Sequence, residues 1–113
     1  MPDNLPPAWY HLLLALVEGE RHGYALMQDV AEESGGRVRL GPGTLYGALK
    51  RLLALGLVVE SGRRPDPLLD DERRRYYRLT PAGRKALAAE AARHLRLVEL
   101  ARAKRVLSRP RTA

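Results

Sequence analysis

The chain contains no cysteine, which removes disulfides, thiolate nucleophiles and Cys-ligated zinc or iron–sulfur sites together. Long apolar runs are missing too. The longest, Leu12-Leu13-Leu14-Ala15-Leu16-Val17, falls far short of the ~20 residues that span a bilayer. The opening Met1-Pro2-Asp3-Asn4 lacks the basic region of a secretory signal. Catalytic motifs are equally scarce. His11, His22 and His94 share no ligand spacing, and each reads as a surface or capping residue. Asp70-Asp71 is an acidic pair with nothing to hold it against an acid or base partner. The expectation is a non-enzyme that needs no metal or cofactor. At 113 residues it has room for one domain, soluble and cytoplasmic.

What the chain has is positive charge, unevenly placed. Lys plus Arg is 20 and Asp plus Glu is 13, giving +7. Residues 1–36 carry a net −5, residues 37–85 a net +7 and residues 86–113 a net +5. A basic middle segment is the footprint of a polyanion-binding surface. A merely solvated charged face has the same composition, so the middle block must be read residue by residue.

Apolar spacing predicts a first helix from about Ala8 to Glu18, with Trp9, Leu12, Leu13, Leu16 and Val17 on one arc and Leu14 opposite. A second runs from about Gly23 to Glu33, with Tyr24, Met27, Val30 and Ala31 inward and Gly35-Gly36 ending it. The third lies between Gly41 and Gly56, where Pro42 suits a first turn and Gly56 the residue after the last. Leu57–Glu60 and Arg74–Leu79 read as strands of a hairpin around a Pro65- and Pro67-containing loop. Tyr77 and Leu79 are assigned to the core, Tyr76 and Arg78 outward. Thr80-Pro81 starts a long helix to about Leu107.

Helix, helix, helix, hairpin, helix is the order of a winged helix-turn-helix: mainly α, with a small β-hairpin and a long C-terminal dimerisation helix. Residues 1–80 would form the DNA-binding domain, 81–107 the dimerisation helix of the same compact unit, and 108–113 a flexible tail. A helical bundle with an excursion loop is the alternative, disfavoured by the poor helical periodicity of Tyr76-Tyr77-Arg78-Leu79.

The third helix places Leu45, Leu49, Leu52 and Leu53 on one stripe. Opposite lie Gly43, Gly47, Lys50 and Ala54, flanked by Thr44, Tyr46 and Arg51. An exposed helical glycine costs about 1 kcal/mol against alanine, so Gly47 points to a face kept low for close approach to DNA. A small-residue contact between helices is the competing account. Pro42 and Gly43 open the helix, whose free N–H groups suit a phosphate. On the hairpin, Arg63, Arg64, Arg74 and Arg75 are candidate backbone or minor-groove contacts.

The last helix carries two apolar stripes, Leu87, Ala91, Leu95 and Val98 on one arc and Leu97, Leu100 and Leu107 on the other. One small domain cannot cover both, so a second copy of the chain is expected. Its first helix, bearing Trp9 and Leu14, is the expected docking surface, given the opposite charges of residues 1–36 and 86–113.

The stretches His22-Gly23-Tyr24-Ala25, Gly43-Thr44-Leu45-Tyr46-Gly47-Ala48-Leu49-Lys50-Arg51-Leu52 and Arg75-Tyr76-Tyr77-Arg78-Leu79-Thr80-Pro81-Ala82-Gly83 resemble the PadR family of bacterial winged-helix transcriptional regulators. So do Leu13-Leu14-Ala15-Leu16 and Gly56-Leu57, in the same order. The resemblance implies a dimer that represses transcription, with DNA contacts from Thr44, Tyr46 and Lys50 and a phosphate contact from Tyr24. The short C-terminus resembles the family's small-subunit branch, some members of which bind planar aromatic drugs through a tryptophan on the last helix. Here that helix has no aromatic residue, so Trp9 and Tyr10 are the remaining candidates for an effector pocket between subunits. Trp9 serves equally as a core or dimer anchor. The expected partners are double-stranded DNA, a second copy and a small-molecule effector, with no membrane. A winged-helix protein–protein adaptor and a sequence-independent nucleic-acid binder are the alternatives.

Overall fold

Proline opens three of the four helices in the computed structural model, which describes residues 5–63 and 75–108. Its fixed φ and missing N–H suit a first helical turn. The order is α1 (Pro7–Ala15), β1 (Arg21–His22), α2 (Gly23–Glu33), α3 (Pro42–Ala54), β2 (Val58–Arg63), β3 (Arg75–Leu79) and α4 (Pro81–Ala103). This is the winged helix expected from the element order, with one addition. The strands form a three-stranded antiparallel sheet, β1-β3-β2, rather than a hairpin alone. β1 is only two residues long, Arg21 pairing with Tyr77 and His22 with Tyr76. So short a strand has no alternation to be recognised by.

The wing register pairs Val58 with Leu79 and Glu60 with Tyr77, then slips so that Gly62 faces Tyr76. The extra residue, Ser61, donates its hydroxyl to Glu20 at 2.6 Å, tying β2 to the turn before β1. Tyr77 is buried and Leu79 packs on the core as expected, while Arg78 is exposed. Tyr76 is half-buried instead of outward, its ring edge-on to His22 at 5.4 Å. The third strand supplies the neighbour that covers it.

Leu12, Leu13, Leu16, Leu26, Val30, Leu45, Leu49, Leu52 and Leu57 are fully buried and knit α1, α2, α3 and the start of the wing into one core. Each such side chain contributes about 1.5–3 kcal/mol on leaving water. On α2 the inward line is Gly23, Leu26 and Val30. The expected arc of Tyr24, Met27, Val30 and Ala31 is therefore rotated, and Tyr24 is 38% exposed.

Two junctions set the angle between α3 and α4. Gly56 ends α3 at φ +74, a left-handed conformation open to glycine at little cost. The Thr80 hydroxyl donates to the Gly56 carbonyl at 2.7 Å and accepts from the Gly83 N–H at 2.9 Å. Gly83 lies so close to this turn that a Cβ there would overlap the Leu57 carbonyl oxygen.

α4 then crosses α1 of its own chain. Leu87 is only 7% exposed, so it belongs to the core and not to a dimer surface, contrary to expectation. One turn on, the carboxylate of Glu90 (4% exposed) accepts the Leu5 N–H at 2.8 Å and pairs with Arg93 and His94. That N–H, with Arg93 and His94 behind it, holds the Glu90 carboxyl below the usual carboxylate range. Arg84 donates to the Val17 carbonyl at 3.3 Å, and the Tyr10 and His94 rings lie 4.6 Å apart. Beyond this point the helix leaves the core. The radius of gyration is 16.2 Å and the long axis 54 Å, against a radius of about 13 Å for a compact chain of this length. α4 ends at Ala103, short of Leu107, because Arg105 turns left-handed at φ 62. Among the described residues no helix is long and apolar enough to cross a membrane.

Candidate nucleic-acid interface

α3 buries Leu45, Ala48, Leu49 and Leu52, so the opposite side must face solvent. Pro42, Gly43, Thr44, Gly47, Lys50, Arg51 and Ala54 are all exposed there. A Cβ on Gly43 or Gly47 would meet nothing within 4 Å, so packing within the chain does not demand glycine at either position. Leu53, expected in the stripe, is only half-buried at its edge, and Ala48 takes the central place.

Tyr46 departs from expectation. It is half-buried, its hydroxyl oxygen is buried, and the end of its ring lies over Gly23 at the start of α2. It holds α3 against α2 instead of projecting from the outer face. The missing side chain of Gly23 is what admits it, a signal that a helical wheel of α3 alone does not contain.

The wing is described in part. Arg63 pairs with Arg75 across β2 and β3, and Arg64 and Arg74 lie outside the described residues. The Arg75 guanidinium is half-buried, 3.9 Å from the Glu60 carboxylate.

Cations divide into two sets. Arg21 grips Asp29 with two hydrogen bonds of 2.9 and 2.8 Å, and its pKa is raised by that bond and charge. Lys50 and Arg51 on α3, and Arg37 and Arg39 just before it, form no ion pair with any described residue. Arg37 and Arg39 were missed in the sequence reading. Their signal was the alternation Arg37-Val38-Arg39-Leu40, in which Val38 and Leu40 pack on the core and both arginines point out.

Acids collect elsewhere. Glu18, Glu20, Asp29, Glu32 and Glu33, with Leu14 and Arg21, border a cleft of about 430 Å³ between α1 and α2. Burial there raises the Glu33 pKa, against the opposing bond from His11 at 3.3 Å. Acids thus gather at the α1–α2 cleft, whereas Arg37, Arg39, Lys50 and Arg51 stand exposed on α3 and the segment before it.

Among the dimer candidates, Leu14, Ala91, Leu95, Leu97 and Leu100 are exposed, and Val98 and Trp9 are half-buried. Tyr10 is half-buried between His11 and His94. The described residues contain no cluster of three or more His, Cys, Asp or Glu able to hold a metal ion.

Residues 12–89 match the transcriptional regulator PadR-like family. Over 86 residues the chain is 46% identical to an uncharacterized 37.1 kDa protein in transposon TN4556 of Streptomyces fradiae, covering 76% of this chain but only 22% of that protein. It is 41% identical over 80 residues to the transcriptional regulator Rv3488 of Mycobacterium tuberculosis, covering 71% of this chain and 68% of the relative. Bacillus subtilis PadR, solved in complex with operator DNA, matches with a TM-score of 0.60 and 26% identity over 71% of this chain and 44% of that one. The matched family is one of transcriptional regulators and not of enzymes. With its helix-turn-helix, its wing and a match spanning residues 12–89, the chain belongs to the PadR-like family of transcriptional regulators.

Proposed function

We propose that the protein is a cytoplasmic repressor that binds a pseudo-palindromic operator as a homodimer, α3 entering the major groove and the wing tracking the backbone. The observation that carries this is the outer side of α3: Gly43 and Gly47 leave it low, and Lys50 and Arg51 stand on it without an ion pair among the described residues. A low helix face brings donors to base edges at contact distance. The relative from Bacillus subtilis, solved with operator DNA, supports the same reading.

Dimerisation rests on α4. Leu95, Leu97 and Leu100 are about half exposed on a helix that has already left its own core, and a second copy is the natural cover. The acidic cleft beside Leu14 complements the basic end of α4 around Arg102, Lys104 and Arg105. A small effector that releases DNA would act at this seam, where the emission of Trp9 reports it.

The test is selection of bound fragments from random duplexes at physiological salt. A dyad-symmetric site with half-sites about 34 Å apart is the expected product. Lys50→Ala should lose that site while sedimenting as wild type. Binding with no preferred sequence and a steep salt dependence would indicate a non-specific binder, and no DNA affinity at moderate salt an adaptor.

A further inference from the structure

The wing meets the helix-turn-helix at β1, and consecutive residues there each carry a link between them. Arg21 pairs through its backbone with Tyr77 of β3 and through its guanidinium with Asp29 of α2. His22 caps α2 through Nδ1 and meets the Tyr76 ring of β3 edge-on. Glu20, the residue before them, accepts the Ser61 hydroxyl of β2 at 2.6 Å. β3 lies between β1 and β2. This last bond therefore joins β2 to the residue that leads into β1, with the middle strand between them.

Ser61 is the extra residue of a β-bulge: Glu60 faces Tyr77 and Gly62 faces Tyr76, which leaves Ser61 without a place in the ladder. Gly62 takes φ +141 there, a conformation that favours glycine. A bulge bends its strand and sharpens the local twist. The bend falls just before Arg63 and Arg75, which face each other at the described end of the wing. The direction of the wing past Ser61 is thus set at the bulge. A hairpin alone is marginally stable, and the β1–β3 ladder is only two residues long, so neither holds a fixed angle unaided. The short bond from a hydroxyl to a carboxylate is of the strong, charge-assisted kind, and it sits at the bend.

We infer that the Glu20–Ser61 bond fixes the pitch of the wing against the helix-turn-helix, and through it the number of phosphates that the wing reaches. Glu20 and Ser61 are then positioning residues: they act through the aim of the wing and touch no DNA themselves. The inference rests on the DNA-binding reading above and adds to it what aims the wing. The competing account gives the bond a share in local stability and nothing more. Charge separates the two. The salt dependence of DNA affinity counts the phosphates that a protein neutralises. Ser61→Ala alters no charge, so a change of salt slope in that variant can come only from geometry. Wing contacts to the backbone fix register and carry no base preference, so selected and scrambled duplexes must respond alike.

The experiment uses the full chain. Residual dipolar couplings of the backbone amides of β2 and β3, referred to those of α3, measure the pitch without DNA. Ser61→Ala should rotate the wing against α3 or lower its order. Glu20→Ala, which breaks the same bond from the other side, should do the same, and Ser61→Thr, which keeps the hydroxyl, should match the wild type. On the duplex selected by the wild type and on a scrambled one, Ser61→Ala should lose affinity about threefold to tenfold, the size of one hydrogen bond. Its plot of log affinity against log salt should flatten by about one unit for each phosphate given up, while the ratio between the duplexes stays as in the wild type. The double variant Glu20→Ala, Ser61→Ala should bind no more weakly than Ser61→Ala alone. An unchanged pitch, a wild-type salt slope in Ser61→Ala, additive losses in the double variant or a loss confined to the selected duplex would overturn the inference. With Lys50→Ala still impaired, the DNA-binding reading would then stand. If the wild type selects no site, or Lys50→Ala binds like wild type, that broader reading fails and this one with it. Thermal melts of each variant check that the fold is intact.

Discussion

The end of the Tyr46 ring on α3 rests over Gly23, the first residue of α2: a Cβ on Gly23 would stand 2.5 Å from the Tyr46 Oη and 2.8 Å from its Cζ. The two helices of the helix-turn-helix can approach this closely because one of them begins without a side chain. Gly23→Ala should therefore destabilise the protein by about 1–3 kcal/mol, the usual cost of overpacking. Tyr46→Ala removes the obstruction, so the double variant should be more stable than the sum of the two single losses, by about 1 kcal/mol or more. Denaturant unfolding of the four proteins measures this coupling. Strict additivity would mean that the two residues do not act on each other.

Gly47 is the opposite case, a helical glycine with open space beyond it. Gly47→Ala should stabilise α3 by about 1 kcal/mol, raising the melting temperature by about 4–8 °C for a domain of this size. If α3 enters the major groove as proposed, the same methyl group would stand between the helix and a base edge, and operator affinity should fall about tenfold. A variant that melts higher and binds as well as wild type would remove the reason for glycine at this position.

His22 caps α2 through a ring nitrogen, Nδ1 accepting the Ala25 N–H at 3.2 Å. Only a neutral ring can accept there. Burial first, and the charge of Arg21 second, lower the His22 pKa from its ordinary 6.5. The unfolded chain thus takes up a proton at His22 more readily than the folded one. The contribution of the cap is complete above pH 6.5 and declines as the pH falls below that value through the folded pKa. His22→Asn keeps an acceptor and should lose this part of the pH dependence. His22→Ala should cost about 1 kcal/mol at pH 8. Urea unfolding between pH 5 and 8 (range on the order of the ordinary histidine titration) separates the three proteins. Parallel curves for wild type and His22→Asn would exclude the cap as a titrating element.

At the other end of the molecule, Arg105 takes φ 62 so that the Val106 N–H can reach the Ala101 carbonyl at 2.9 Å and its own N–H the Arg102 carbonyl at 3.0 Å. This is the double bond pattern that closes a helix with glycine in the left-handed place. Arg105→Gly should slow hydrogen exchange of the last turn of α4 by about threefold to tenfold, from relief of about 1 kcal/mol of strain. Faster exchange would show that the arginine side chain contributes more there than its backbone costs.

Much of the fold was legible because its signals are local. Pro42 and Pro81 mark helix starts, Thr80 caps α4, and Gly56 ends α3. The leucine stripe of α3 placed Gly43, Gly47, Lys50 and Arg51 outside with no knowledge of what covers the other side. β1 was not legible, being too short for any periodicity to register.

Sequence alone determined which helix would present an open, cationic side, because a stripe of four aliphatic residues fixes the rotation of α3 about its axis. Tertiary structure decided what stands beside that side. α2 turned by about one residue, so that Leu26 went in and Tyr24 out. Tyr46 folded back over Gly23, and Leu87 was claimed by the core rather than left for a partner. In each case the deciding atom lies on another element, and periodicity along one helix carries no information about a neighbour that arrives from elsewhere in the chain.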